Sequence, residues 1–118
     1  ARVIVCNDAR MQEIYWACFE RGKDGLAAAQ GPERVGPQAS VRLPSEWPVA
    51  AGVGRGFAAY PALRDLPGVL MLPSWDRLLP RAAEVARLAA PELAAGRLLG
   101  PDAAIPVYLR DDVARPQP

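Results

Sequence analysis

Val3-Ile4-Val5-Cys6-Asn7-Asp8-Ala9-Arg10-Met11-Gln12-Glu13-Ile14-Tyr15-Trp16-Ala17-Cys18-Phe19 is the stretch on which the fold of this chain turns. Val3 to Cys6 is a continuous apolar run, the pattern of a strand covered on both faces. Asn7 to Gln12 reads as a turn. From Glu13 to Arg21, Ile14, Trp16 and Cys18 alternate with Tyr15, Ala17 and Phe19, so both faces are apolar again. Strands at 2–8 and 13–21 are therefore predicted to pair as a buried antiparallel hairpin.

Beyond the hairpin, Lys23-Asp24-Gly25 tips a polar turn, and Leu26 to about Val35 is expected to return as a third, weaker strand. Pro37 to Pro48 carries three prolines and reads as a loop with one short helical turn. Val49 to Val53 makes another buried strand, followed by the glycine-rich turn Gly52-Val53-Gly54-Arg55-Gly56. Phe57 to Leu66 is helical in part, broken or restarted where Pro61 disfavours α geometry at Tyr60. Val69 to Leu72 is a last short strand. From Asp76 to about Ala95, Leu78, Leu79, Ala82, Val85, Ala86 and Ala89 recur at helical spacing, with Ser74 or Asp76 as the expected cap. Pro91 is expected to kink that helix and Gly96 to end it. Antiparallel strands followed by alternating helices and strands describe an α/β domain of ribonuclease H-like layout.

At 118 residues the chain has the length of one domain, 1–118, and 51% hydrophobic residues with a mean hydropathy near zero are enough to drive folding. Fourteen basic and thirteen acidic side chains are scattered along it for a net charge of +1, which leaves no electrostatic footprint for nucleic acid. Cys6 and Cys18 have neither metal-ligand spacing nor the density of a disulfide scaffold, and both read as buried free thiols. No apolar stretch approaches the roughly 20 residues of a membrane span and no signal segment opens the chain, so a cytoplasmic protein is expected.

The absence of histidine excludes His-ligated metals and Ser-His or Cys-His nucleophiles. Asp8, Glu13, Asp111 and Asp112 are the carboxylates that a ribonuclease H-like fold could gather around two metal ions. The plainer reading is a turn aspartate, a strand-start glutamate and a solvated tail. Gly52, Gly54 and Gly56 follow a strand, where backbone N–H groups can cradle a phosphate. Their spacing is not the dinucleotide fingerprint, however, and no Lys-Ser/Thr follows. A tight turn is the competing reading. Trp16, Trp47 and Trp75 are too widely spread for a base-stacking platform and are read as core or lid residues.

Three segments carry a resemblance to a known family. Asp8-Ala9-Arg10-Met11-Gln12-Glu13-Ile14-Tyr15 resembles the Asp-Ala-Arg-Met-x-Glu-Val-Tyr hairpin of TsaB/YeaZ proteins. The Gly52-Val53-Gly54 turn with Tyr60-Pro61 downstream is similar to that family's glycine turn. Pro106-Val107-Tyr108-Leu109-Arg110 is similar to its C-terminal signature. Order and spacing agree from end to end, and the resemblance places the chain in the second half of a family member. A start at Ala1, directly in strand-like sequence, fits the expectation that an N-terminal half precedes it.

The resemblance implies one ribonuclease H-like half of the actin-like, sugar-kinase-like ATPase superfamily. It implies a glycoprotease-like, non-catalytic subunit that supports TsaD and TsaE in transferring a threonylcarbamoyl group to adenosine 37 of ANN-reading tRNAs. Contact with tRNA comes only through that complex, no membrane is involved, and a homodimer is left open. The motif residues it singles out are Asp8, Arg10, Met11, Glu13, Tyr15, Pro106, Tyr108 and Arg110. By analogy the hairpin occupies the place of a catalytic paralogue's phosphate loop, with Asp8, Arg10 and Met11 crowding where glycines would cradle. No cofactor is expected, although ATP or ADP binding by a complete family protein stays open. The alternative is a nucleotide-binding or metal-dependent hydrolase half-domain, in which the glycine turn and the Asp8 hairpin converge on a ligand. Tyr108 and Arg110 form either a partner surface or a tail tied to its own domain.

Overall fold

A computed structural model describes residues 1–110, and the chain divides into two compact units, Ala1–Leu79 and a second from Pro80 onward. The first unit is built on a six-stranded mixed sheet. Its strands are β1 (Arg2–Asp8), β2 (Ile14–Arg21), β3 (Ala27–Ala29), β4 (Arg34–Gly36), β5 (Ala50–Val53) and β6 (Val69–Met71). The expected hairpin forms in register, with Ile4 opposite Cys18 and Cys6 opposite Trp16. β5 joins the far side of β1 in parallel, and β6 joins β5 in parallel, giving the order β3-β2-β1-β5-β6 with β4 also on β2.

The expected third strand is divided. β3 pairs with β2 at residues 19–21 and β4 pairs with it at 14–16, while Gly31, at φ +98°, and Pro32 carry the chain away from the edge between them. Proline cannot donate to a ladder, and glycine at positive φ turns the chain, so one continuous strand cannot run through this point.

Side-chain alternation puts Ile4, Cys6, Ile14, Cys18, Ala50 and Val69 on one sheet face, where they are buried against Val41, Trp47, Phe57 and Leu63. On the opposite face Val3, Val5, Tyr15, Phe19, Ala51 and Val53 are half-buried. Both faces are apolar, as the sequence indicates, but only one is fully enclosed. Pro61 acts as predicted: α1 (Gly56–Ala59) stops at Tyr60, and a 3-10 turn restarts at Pro61–Asp65. Arg64 fastens this turn by donating to the Phe57 carbonyl at 3.3 Å and to Asp76 at 2.7 Å.

The second unit contains α2 (Ala82–Ala94). It starts six residues later than the apolar spacing suggests. Trp75–Arg77 is a separate 3-10 turn, Leu78 is extended, and Arg81 occupies the N-cap position in extended geometry. Pro80 disfavours helical geometry at Leu79, which delays the start. Ser74 and Asp76 therefore cap nothing in α2, and Ser74 itself is left-handed at φ +70°. The helix runs through Pro91, which supplies no N–H toward the carbonyl one turn before it. Its end follows the expectation. Gly96 at φ +73° donates to Leu93 and Arg97 donates to Glu92, the paired bonds of a Schellman motif. No residue of α2 is buried, and Val85 is 60% exposed. The helix presents its apolar positions at the surface, although their spacing suggests a core-facing stripe.

Candidate functional site

The motif hairpin ends in a five-residue loop between Asp8 and Ile14. The Asp8 carboxylate accepts the Arg10 N–H at 2.9 Å, the Ala9 N–H reaches Glu13 at 3.0 Å, and the Glu13 N–H reaches Arg10 at 2.9 Å. Arg10, Met11 and Gln12 stand at φ +61°, +54° and +62°, three successive left-handed residues with side chains. Such a conformation costs roughly 1–2 kcal/mol for each non-glycine residue. The loop is locked by its own hydrogen bonds and by Ala9, which is buried, and it turns Arg10, Met11 and Gln12 outward. Glu13 and Tyr15 are half-buried, with Tyr15 between Asn7 of β1 and Val35 of β4.

Because β5 is parallel to β1, the glycine turn comes to the same end of the sheet as the hairpin loop. The two segments meet backbone to backbone. Gly54, at φ +110°, leaves no room for a side chain: a Cβ there would lie 2.4 Å from the Cys6 carbonyl oxygen and 2.8 Å from Asn7 Oδ1. At Gly56 a Cβ would lie 2.7 Å from the same carbonyl, and at Gly52 it would meet Met71 and Phe57. The Gly54 N–H donates to the Trp75 carbonyl at 3.0 Å. The glycines thus serve a close approach of strands and a turn.

Below this contact lie the two free thiols. Burial, reinforced by the neighbouring Cys18, pushes the Cys6 thiol up to about 12. Burial also raises the Cys18 thiol, and the Arg34 charge opposes that rise. A thiol held protonated is a poor nucleophile and a poor metal ligand. Among the described residues no three His, Cys, Asp or Glu side chains gather as a metal site. Asp8 and Glu13 sit at the hairpin loop, whereas Asp111 and Asp112 lie outside the described residues.

Pro106, Tyr108 and Arg110 belong to the second unit. The segment has no regular secondary structure; Tyr108 is 75% exposed and Arg110 is half-buried. What the sequence did not disclose is the left-handed loop, since Arg-Met-Gln contains none of the residues that favour positive φ. It also gave no sign of the commitment of the Gly54 N–H, for which a partner twenty-one residues away in sequence leaves no local signal.

No protein-family profile matches the chain. A curated relative, the tRNA threonylcarbamoyladenosine biosynthesis protein TsaB of Escherichia coli (strain K12), is 36% identical over 118 residues, covering 96% of this chain and 49% of the relative. Among solved structures, YeaZ from Pseudomonas aeruginosa superposes with a TM-score of 0.76 at 31% identity, over 91% of this chain and 49% of that one. A second crystal structure, of a protein described as similar to peptidase YeaZ from Pseudomonas aeruginosa, gives a TM-score of 0.76 at 33% identity, covering 92% of this chain and 49% of that one. The chain spans about half the length of the relatives it matches, and it belongs, over that half, to the TsaB/YeaZ family.

Proposed function

We propose that this chain is part of a non-catalytic scaffold subunit that supports threonylcarbamoyl transfer to adenosine 37 of ANN-reading tRNAs, working with TsaD and TsaE in the cytoplasm. The relative's name supplies the pathway. The strand order β3-β2-β1-β5-β6, an antiparallel hairpin continued by parallel strands, supports the reading of a ribonuclease H-like half-domain. The observation that carries the scaffold role is the state of the Gly54 turn. Its N–H is bonded to Trp75 and its open side is filled by the Cys6 carbonyl, so this donor is committed inside the fold instead of facing a phosphate. No helix among the described residues is long and apolar enough to cross a membrane.

The alternative, a nucleotide-binding or metal-dependent half-domain, draws on the convergence of the Asp8 hairpin with the glycine turn. The two readings part in a reconstituted transfer assay with TsaD, TsaE and the complete protein that carries this chain. With Asp8→Asn and Glu13→Gln, the scaffold reading expects the rate to stay within about twofold while assembly is unchanged. A loss of about a hundredfold at unchanged assembly is the size of a general acid–base or metal-ligand contribution and would favour the alternative. A binding assay between TsaD and the chain, beside the complete protein, then locates the contact.

A further inference from the structure

The divided edge of the sheet creates a cleft that the hairpin motif does not touch. Between β3 and β4 the chain leaves β2 at Gln30–Glu33, anchored by the Gln30 N–H on the Cys18 carbonyl at 2.8 Å. Trp16 and Cys18 point to the same sheet face, and the segment after Val41 forms the facing wall. The cleft, open on one side to solvent, has a volume of about 390 Å³ and is lined chiefly by Trp16, Cys18, Pro32, Arg34, Arg42 and Leu43. That volume matches a small organic molecule.

The cleft brings two cations together. Among the described residues neither Arg34 nor Arg42 is in an ion pair, a state they share with other surface arginines such as Arg21 and Arg55. Arg34 is exposed and lies over the Trp16 ring, 5.6 Å from its centroid, a cation–π distance that keeps its charge at the mouth of the cleft. Its charge reaches the floor, where it works against the burial that raises the Cys18 thiol. Glu46, the one carboxylate of the lining, is exposed and accepts the Ser45 hydroxyl at 3.3 Å, so two cations face one anion.

We infer that this cleft binds a small organic anion, a carboxylate or phosphate monoester on a flat apolar body, with Arg34 and Arg42 holding the anionic group and Trp16 and Leu43 flanking the body. Planar guanidinium forks suit both anions, because each offers two oxygens at matching spacing. The apolar wall separates such a ligand from a bare ion. The inference is independent of the scaffold role, since it uses neither the hairpin-loop residues 8–13 nor the glycine turn.

The test is a titration of the isotope-labelled chain, following the Trp16 indole N–H and the Arg34 and Arg42 Nε–H signals by nuclear magnetic resonance. Phenyl phosphate and benzoate are the complete probes; inorganic phosphate and benzyl alcohol each lack one half. Saturable shifts with at least one complete probe are expected, with affinity at least about tenfold above both partial probes. Whichever complete probe binds more tightly identifies the anion. Arg42→Ala and Arg34→Ala should each weaken binding about tenfold, and Arg34→Lys, which keeps charge but loses the planar two-donor fork, severalfold, all at an unchanged thermal midpoint. Absence of saturation with both complete probes at about 10 mM, inorganic phosphate equal to phenyl phosphate, or an Arg42→Ala variant that binds like the parent would each overturn the inference.

Discussion

Gly54 and Cys6 are in backbone contact: a Cβ on residue 54 would stand 2.4 Å from the Cys6 carbonyl oxygen, closer than any side chain can come. That contact ties the end of β5 to the end of β1 immediately before the motif hairpin. It converts a glycine turn with the look of a phosphate loop into a packing joint.

The first prediction concerns that joint. Gly54→Ala combines a positive φ with a collision against backbone that cannot move aside, and should destabilise the chain by about 3 kcal/mol or more. Gly96→Ala is the control, because φ is +73° there but nothing lies within 4 Å of the added Cβ. It should cost only about 1 kcal/mol. Urea unfolding of the two variants checks the difference; equal costs would mean that the Cys6 contact adds nothing.

The hairpin loop offers a gain of stability. Gln12 is exposed at φ +62°, so Gln12→Gly relieves left-handed strain of roughly 1–2 kcal/mol and gives back about half to one in unfolded-chain entropy. A net stabilisation of about 0.5–1 kcal/mol is expected, seen as a raised denaturation midpoint at constant slope. A lowered midpoint would show that the glutamine side chain contributes more than the strain costs.

Cys6 makes stability depend on alkaline pH. Its thiol is raised from an ordinary 9.0 to about 12 by burial. The folded state therefore favours the protonated form. The associated stability is complete below pH 9 and is lost as pH rises toward 12, at up to about 1.4 kcal/mol per pH unit. Cys6→Ala should remove that slope between pH 9 and the alkaline limit while lowering stability at neutral pH by a small cavity cost. Parallel pH slopes for parent and variant would contradict the assignment.

Phe57 is the largest of the fully buried side chains among the described residues. It is fully buried in α1, against Gly52 and the core face of the sheet. Phe57→Ala should cost about 3–5 kcal/mol, whereas Leu70→Ala on the exposed side of β6 should cost less than about 1. Thermal and urea unfolding of both variants provide the measurement.

Much of the fold and part of the site were legible in the chain itself. Alternating apolar residues at 14–19 and the continuous run at 3–6 identify the hairpin because side-chain direction in a strand depends only on position parity. Pro61 marks the break between α1 and the following 3-10 turn, and Gly96 marks the end of α2, because backbone sterics at proline and glycine act within one turn of the residue. The family motifs were likewise visible as strings. The start of α2 was not, since apolar spacing continues through Leu78 and Leu79 while the backbone there is set by Pro80.

By itself, then, the sequence determined the local elements and the motif positions, whose causes lie within a few residues of one another. Only the tertiary structure decided the strand order, the left-handed path of Arg10, Met11 and Gln12, the use of the Gly54 N–H by Trp75, and the meeting of Arg34 and Arg42 at one cleft. A glycine states that space is needed and an arginine that charge is carried. What fills the space, and which charges meet, depend on register between strands that the chain brings together from distant positions.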